Sequence, residues 1–297
     1  MIKIFTDSTA YIPKSLIEEY DISVIPVMLK INGEEYLENE LANALFYELM
    51  EQTDTIPEVI TPDAEYIEEK FREQTNKGNV VAGIFMSAKL SGLFSNAQKA
   101  KEKIQSENTD AKIYPIDSEA NGMQMGLAVL AAADINKQGQ WMENVVNEAY
   151  KVMQRTRYLF IPGKLKYVGR GGNLDKGRAM MGDLVHLCPV MSSIKGKMEP
   201  MDTVHTHKKA VDRMIGIMDE DIKLYNISQI VVVHIHAKDK ADELKERLKG
   251  RTEKEIIVSQ IGASVGYHIG PGTLGIVYQT EDIHPLNEHI KPPKYLV

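Results

Sequence analysis

Two segments of the chain place hydrogen-bond donors beside accessible backbone. Ser91 and Gly92 follow a dense apolar run and open a predicted helix, and the segment from Gly266 to Gly275 combines His268 with four glycines. Hydroxyl, imidazole and free helix-terminal N–H groups are donors that can hold a small anionic group. The rest of the chain offers little catalytic machinery. The two segments therefore predict a protein that binds an anionic head group.

The spacing Gly270-x-Gly272-x-x-Gly275 matches the fingerprint of dinucleotide-binding proteins, but its surroundings do not. That fingerprint opens a helix and is followed by an acidic residue about 20 positions later. Here β-prone residues 276–280 follow, and too little chain remains for the acidic residue. The glycines instead predict a turn where the backbone approaches a ligand or another loop closely. His268, beside this turn, can donate to an anion or be satisfied by backbone groups.

A metal- or phosphate-dependent small-molecule enzyme that uses His234 and His236 is the main alternative from another class. His234 and His236 lie two apart in a predicted strand, so both imidazoles would share a face and could bind one divalent metal. His205 and His207 repeat this spacing in sequence that is polar and equally typical of an exposed segment. The basic, glycine-rich segment 164–173 can face a phosphate but lacks the Walker Gly-Lys-Ser/Thr. The favoured expectation is no catalytic residue, no metal and no cofactor.

Composition narrows the possible partners and location. The 297 residues include 35 basic and 42 acidic side chains, which give a formal net charge of −7. No block of Lys and Arg stands out, which argues against nucleic acid as the main partner. No run approaches the roughly 18 apolar residues of a membrane span, so no stable membrane insertion is expected. Cys188 is the only cysteine and no secretion signal is recognisable, which predicts a cytoplasmic protein.

Strand-like and helix-like patterns alternate over the first half of the chain. Strands are expected at 2–6, 80–86 and 112–116, and a β-rich segment at 22–31 continues through the hairpin signal Asn32-Gly33. The expected helices are 14–20, 41–50, 62–75, 95–105, 121–136 and 142–156. This alternation predicts an α/β domain at 1–156. Its sheet would be doubly wound and mainly parallel, with a small hairpin insertion at about 22–38.

The second half has a mixed pattern. Strands are expected at 157–161, 230–236, 256–261 and 274–280, helices at 208–224 and 239–248, and a hairpin at 189–204 across Gly196. Hairpins and helices in this order are typical of an α+β domain with a mixed sheet. The predicted fold class is therefore α/β with two domains, 1–156 and 157–297.

Taken in order, these segments resemble the DegV family. The matching segments are Asp7-Ser8-Thr9-Ala10-Tyr11-Ile12-Pro13, Val24-Ile25-Pro26-Val27, Asn32-Gly33-Glu34-Glu35-Tyr36, Lys89-Leu90-Ser91-Gly92 with Ala97, Ile116-Asp117-Ser118, the stretch 165–173, and Gly266-x-His268-x-Gly270-Pro271-Gly272. They keep the family's order over essentially the whole chain.

The resemblance implies that a long-chain fatty acid is buried between the two domains. Similar members are acyl-carrying subunits of bacterial fatty acid kinase: a separate kinase phosphorylates the carboxylate, and the carrier itself is not an enzyme. In the family, the head group is held by the Ser of Ser-Gly, by a Thr/Ser-rich loop before a Pro, and near the late His. The corresponding head-group residues expected here are Ser91, Gly92, Thr61, His268, Gly270 and Gly272.

Several positions depart from the family pattern. The hydroxyl-rich loop falls on 58–63, where Thr61 alone keeps a hydroxyl, and Leu93 replaces the Thr of Ser-Gly-Thr. Asn173 stands at the Arg of Gly-Gly-Arg, and His205 or His207 stands where an Arg often occurs. Two further alternatives follow: a ligand that is lipid-like but not a free fatty acid, or the same fold without a kinase partner.

Overall fold

Strands and helices alternate along the chain in the computed structural model, which describes residues 1–52, 57–163 and 187–293. The strands are β1 (Ile2–Asp7), β2 (Ser23–Ile25), β3 (Met28–Ile31), β4 (Glu34–Leu37), β5 (Glu58–Ile60), β6 (Val80–Phe85), β7 (Ile113–Asp117), β8 (Thr156–Ile161), β9 (Cys188–Ile194), β10 (Lys197–Val204), β11 (Ile227–His234), β12 (Ile257–Gln260) and β13 (Leu274–Thr280). The α-helices are α1 (Lys14–Glu19), α2 (Asn43–Gln52), α3 (Ala64–Thr75), α4 (Leu93–Glu107), α5 (Gly122–Lys137), α6 (Met142–Arg155), α7 (His207–Tyr225), α8 (Lys238–Leu248) and α9 (Ala263–Ile269).

The first sheet is parallel throughout, with the strand order β2-β1-β6-β7. Strand β6 is an interior strand, and Val81 to Phe85 are buried because helices cover both faces. Helices α3 and α4 pack on one face through Ile67, Phe71 and Ala97. The predicted doubly wound, mainly parallel sheet is confirmed. Its carboxyl edge is where the loops after β1, β6 and β7 emerge.

The second sheet is mixed, with the order β10-β9-β8-β13-β11-β12. Only β11 and β12 pair in parallel, and the other neighbours are antiparallel. Helices α7 and α8 cover one face through residues such as Met214 and Leu244. The α+β organisation with a mixed sheet, expected for the second half, is confirmed.

Helices α5 and α6 form a layer between the two sheets. Ile84 of the first sheet and Val277 of the second belong to one apolar core together with α5 residues such as Met125 and α6 residues such as Val146. Helix α5 is buried over most of its surface, as expected for a helix that is apolar all round. The molecule is thus five layers deep: α3 and α4, a sheet, α5 and α6, a sheet, then α7 and α8.

The expected hairpin at 22–38 divides into two parts. Pro26 lacks an N–H group and interrupts the β-rich run, so β2 joins the parallel sheet while β3 pairs with β4. Asn32 and Gly33 form the tight turn with φ of 53° and 89°, as the hairpin signal predicts. Strand β5, which the sequence did not indicate, completes a small three-stranded antiparallel sheet by pairing with β3.

The hairpin β9–β10 reaches across to the first sheet. Ser87, in the loop after β6, donates from Oγ to the carbonyl oxygen of Gly196 at 3.0 Å, and Lys89 Nζ donates to the carbonyl oxygen of Lys195 at 2.7 Å. A Cβ on Gly196 would lie 2.5 Å from Ser87 Oγ. The tip of this hairpin therefore fits tightly against the loop that leads to Ser91. None of the described helices combines the length and apolar character needed to cross a membrane.

Candidate functional site

The N-terminus of α4 brings together three of the predicted head-group residues. Gly92 is the N-cap residue, and Ser91 Oγ accepts a hydrogen bond from the N–H group of Leu93 at 3.3 Å. A Cβ on Gly92 would lie 3.9 Å from Cγ2 of Thr61, so the loop after β5 closes over the start of α4. Ser91 and Thr61 are half-buried and Gly92 is exposed. Ser91, Gly92 and the side chain of Thr61 thus lie close together at the start of α4, at one edge of the parallel sheet.

Asp63, rather than Thr61, caps helix α3. Its Oδ1 accepts from the N–H group of Tyr66 at 2.8 Å, which engages this carboxylate with its own helix. Asn96 Nδ2 donates to the carbonyl oxygen of Pro62 at 2.8 Å and ties the same loop to α4. Asp63 is thus the residue that caps α3, and Thr61 lies two residues before it.

The departure at Leu93 has a packing explanation. Leu93 is fully buried between α4 and the parallel sheet, in the core that includes Phe71 and Phe85. A side chain at this position points into that core, where a leucine buries more apolar surface than a threonine.

His268 lies in helix α9, which the sequence did not predict. The glycines of this segment predicted a turn, but Gly266 and the residues up to Ile269 complete a seven-residue helix that stops before Pro271. His268 is half-buried, and burial lowers the pKa of its imidazole. The ring packs at 4.9 Å from that of Tyr267, and no hydrogen bond joins it to Ser91 or Thr61 within the described parts of the chain. At neutral pH this side chain is a neutral N–H donor rather than a cation.

The turn after α9 is built on close backbone approach, as the glycines predicted. Gly270 and Gly272 have φ of 80° and 91°, in the region that favours glycine. Their N–H groups donate to the carbonyl oxygens of Gly266 and Ile235, both at 2.8 Å. The neighbour they approach is Gly163, on which a Cβ would lie 2.1 Å from the carbonyl oxygen of Pro271. Because both amides are engaged, a ligand contact at these glycines stays a prediction and would involve their bare Cα atoms.

The structure does not pair His234 with His236. Strand β11 ends at His234 and not at 236, and His236 adopts a left-handed conformation with φ of 46°, so the two side chains do not alternate as on one strand. His234 is buried, which lowers its imidazole pKa, and its Nδ1 accepts from the N–H group of Ala237 at 3.3 Å. His236 is exposed, and its ring centroid lies 6.0 Å from that of Tyr47.

No group of three or more metal-binding side chains occurs among the described residues. His205 lies exposed in a bend and His207 begins α7. The basic segment 164–173, including Asn173, lies outside the described residues.

No sequence pattern indicated a buried carboxylate that contacts the first turn of α9. Glu38, just past β4, accepts hydrogen bonds from Ser8 Oγ at 2.6 Å and from the Tyr11 hydroxyl at 2.9 Å. It also accepts from the N–H group and Oγ of Ser264, at 2.9 and 2.6 Å. The Asp7-Ser8-Thr9 motif thus contributes to a polar cluster that joins the two halves of the chain. An acidic residue just beyond a hairpin gives no sequence signal for burial, because such residues are usually exposed.

Three pockets among the described residues lie away from these side chains. The one between the outer parts of α5 and α6 has a volume of about 350 Å³ and is lined by residues including Ile135 and Tyr150. The other two lie beside Lys112 and beside His289. None of these three is lined by Ser91, Thr61 or His268, so the location of an acyl-chain cavity stays a prediction.

Comparisons with known proteins match the chain to one protein family. A family model described as "Uncharacterised protein, DegV family" matches residues 1–281. A DegV domain-containing protein of Clostridium acetobutylicum is 33% identical over 280 residues, covering 94% of this chain and 98% of that protein.

Two solved structures of proteins from the same family resemble this chain over nearly its whole length. DegV from Bacillus subtilis, described as a fatty acid binding protein, is 29% identical with a TM-score of 0.82, and the match covers 94% of this chain and 99% of that chain. A DegV family protein from Thermus thermophilus, described by its fatty acid binding, has the same fold, with a TM-score of 0.85 at 23% identity and coverage of 94% and 99%.

Proposed function

The chain belongs to the DegV family, and on that basis we propose that it binds a long-chain fatty acid, with the carboxylate at the start of α4 and the acyl chain in a buried pocket between the two domains. The proposal rests chiefly on one observation: Ser91, Gly92 and Thr61 meet at the carboxyl edge of a parallel sheet. Ligands of open α/β sheets bind at this edge.

The chemistry of this edge suits a carboxylate. Free amides and the dipole of a helix N-terminus stabilise negative charge, and the hydroxyl groups of Ser91 and Thr61 can each donate one hydrogen bond. His268 would add a neutral N–H donor from α9, since burial lowers the pKa of its imidazole. Gly270 and Gly272 would let the backbone lie close to the ligand. The Asp63 carboxylate accepts from the N–H group of Tyr66 at 2.8 Å, which holds it against the first turn of α3.

Similarity supports the ligand class. The Bacillus subtilis relative, 29% identical over nearly the whole chain, is described as a fatty acid binding protein. An apolar tail transferred from water into a protein interior gains about 0.8 kcal/mol per methylene, so a long chain supplies most of the binding free energy. The carboxylate then fixes orientation.

The chain is proposed to be a non-catalytic carrier in the cytoplasm. A partner kinase would transfer the γ-phosphoryl group of ATP to the bound carboxylate, giving an acyl phosphate and ADP. The proposed carrier would hold the carboxylate at the molecular edge, where Gly92 is exposed, so that a partner can reach it. Co-purification with a fatty acid kinase subunit tests this partnership.

The deciding experiment is mass spectrometry of an organic extract of the purified protein, with denatured buffer as the control. We expect a fatty acid at about one per chain, and its mass gives the acyl length and unsaturation. Ser91→Ala and His268→Ala should each weaken binding by about 10- to 100-fold, the effect of losing a hydrogen bond to a charged group. An empty extract together with no uptake of added fatty acid would contradict the proposal, whereas a different lipid would support the substituted 58–63 loop as the cause of a changed ligand.

A further inference from the structure

The carboxylate of Glu38 is almost completely enclosed, with a side chain only 5% exposed. Its two oxygens accept four hydrogen bonds: Oε2 from Ser8, and Oε1 from Tyr11 and from the N–H group and Oγ of Ser264. Four donors are about the full accepting capacity of a carboxylate. Hydrogen bonds to a buried charged group are among the stronger ones in proteins, because an unmade bond leaves the charge without compensation.

These donors come from distant parts of the chain. Ser8 and Tyr11 follow β1, whereas Ser264 is in the first turn of α9. Ser264 lies four residues before His268, and residues four apart share one face of a helix, one turn apart along its axis. Fixing the backbone of Ser264 therefore fixes the height and rotation of the turn that carries His268.

The other close contacts of α9 hold this helix in one position. A Cβ on Gly262, the N-cap residue of α9, would lie 2.6 Å from Tyr11 Cε1 and 2.7 Å from Glu38 Oε1. A Cβ on Gly266 would lie 2.2 Å from the hydroxyl oxygen of Tyr47, on α2. Both glycines thus allow α9 to approach the N-terminal residues directly. A helix of seven residues has little stability alone, so these contacts decide where it lies.

We propose that Glu38 is a positioning residue for the head-group site: by holding the first turn of α9, it places the imidazole of His268, a role that rests on the proposed function of this site. Glu38 does not touch the ligand itself. The hairpin β3–β4, which delivers Glu38, thereby connects the N-terminal half of the molecule to a binding group supplied by the C-terminal half.

Glu38→Ala tests this role through two readouts. One is the imidazole resonances of His268 in histidine-labelled protein, assigned by their loss in His268→Gln. The other is affinity for the fluorescent fatty acid cis-parinaric acid. We expect the His268 resonances to move in the ligand-free protein and the affinity to fall at least about tenfold, as for loss of one hydrogen bond to a carboxylate.

Asp221→Asn is the matched control. Asp221 is also a buried carboxylate with several donors, among them Arg157 at 2.6 Å, but it lies in the core on the opposite face of the second sheet from α9. This variant should lower the melting temperature and leave both the His268 resonances and the affinity unchanged. Should Glu38→Ala fail to fold, Ser264→Ala removes one of the four bonds and serves for the same measurements.

Unchanged His268 resonances in the folded variant would overturn the inference, and so would an equal response in Asp221→Asn. A wild-type protein that takes up no cis-parinaric acid or natural fatty acid would overturn the proposed function instead. In that event the response of His268 to Glu38→Ala still decides whether Glu38 positions α9.

Discussion

Asp7 carries a carboxyl group whose ionisation opposes folding near neutral pH. Its side chain is fully buried at the end of β1, where Oδ2 accepts from the N–H group of Met86 at 2.8 Å and Oδ1 from that of Thr9 at 2.9 Å. Burial raises the pKa of Asp7 to about 6, because the loss of hydration outweighs these hydrogen bonds, and the nearby charge of Glu38 acts in the same direction as burial.

The pH dependence of stability follows from this pKa. Between pH 3.8 and about 6, folded Asp7 keeps a proton that the unfolded chain has lost, so the free energy of unfolding falls as pH rises through this window. Across this window the ionisation of Asp7 lowers the free energy of unfolding by about 3 kcal/mol in total, at 1.36 kcal/mol per pKa unit. Asp7→Asn should remove this slope. Urea unfolding of both proteins from about pH 4 to about pH 7 measures it.

Asp221 does not obscure this comparison. Burial acts to raise its pKa, but hydrogen bonds from His284 and Tyr278 and the charge of Arg157 outweigh burial and lower the pKa to about 2. Its stabilising contribution is present above pH 3.8 and is lost as pH falls toward about 2, below the window of Asp7. Parallel pH curves for wild type and Asp7→Asn would contradict the assignment of the slope to Asp7.

At the scale of elements, the turn between α9 and β13 depends on a glycine outside it. Gly163, which follows β8, donates its N–H group to the carbonyl oxygen of Ile269 at 3.1 Å and to Thr273 Oγ1 at 2.9 Å. A Cβ there would also lie 2.5 Å from the backbone nitrogen of Thr273. Because the obstructing atoms belong to the backbone, a side chain at this position must displace the turn itself.

Gly163→Ala should therefore destabilise the protein by about 1–3 kcal/mol, as overpacking does elsewhere. It should also weaken fatty acid binding, since α9 and the turn move together. Gly216→Ala is the control: it lies in helix α7, its added Cβ would meet only Arg213 at 4.0 Å, and alanine favours a helix by about 0.5–1 kcal/mol over glycine. Denaturant unfolding distinguishes the two, and equal stability of both variants would contradict the role of Gly163.

The sequence identified those elements that local patterns specify. The uniformly apolar run of β6 and the turn at Asn32-Gly33 form as expected, because burial on both faces and positive φ leave clear signatures. Helix α9 and β5 could not be predicted this way. Helix α9 contains Gly266 within seven residues, and β5 has three, so only tertiary contacts stabilise either of them.

The candidate site likewise combines residues that local sequence patterns indicate with residues that only tertiary contacts bring together. The Ser91-Gly92 sequence indicated a helix N-terminus, because a serine before an apolar periodic run is typical of one, although α4 begins at Leu93, two residues before the predicted bound. Glu38 could not be identified, since its partner Ser264 is 226 residues away and neither residue lies in a motif with a known spacing. The prediction that His234 and His236 share a face failed because β11 ended two residues early.

At the scale of the whole molecule, the two sheets are not independent units of packing. Helices α5 and α6 lie between them, and one core contains Ile4 and Ala82 from the first sheet and Val231 and Val277 from the second. If either sheet unfolded, the apolar side chains of α5 and α6 that pack against it would become exposed to solvent. The predicted domain boundary at 156/157 falls one residue into β8, which directly follows α6.

We therefore expect a single cooperative unfolding transition for the whole chain. Hydrogen exchange followed by mass spectrometry should give the same opening free energy for peptides of β6 and of β13, because both face the shared core. Far-ultraviolet circular dichroism in urea should show one transition with the same midpoint. Two transitions, or a clear difference in opening free energy between the two strands, would show that the halves unfold separately.

The two hairpin tips differ in how much foreign sequence they can accept. Gly33 in the β3–β4 turn has no atom within 4 Å of the place where a side chain would begin, whereas Gly196 in the β9–β10 turn presses on Ser87. A fluorescent label or an inserted domain at Asn32-Gly33 would project into solvent. The same insertion at Gly196 would displace Ser87 and the loop that leads to Ser91. Because that loop precedes the proposed head-group site, the Gly196 tip is the better place for an engineered sensor whose signal depends on ligand.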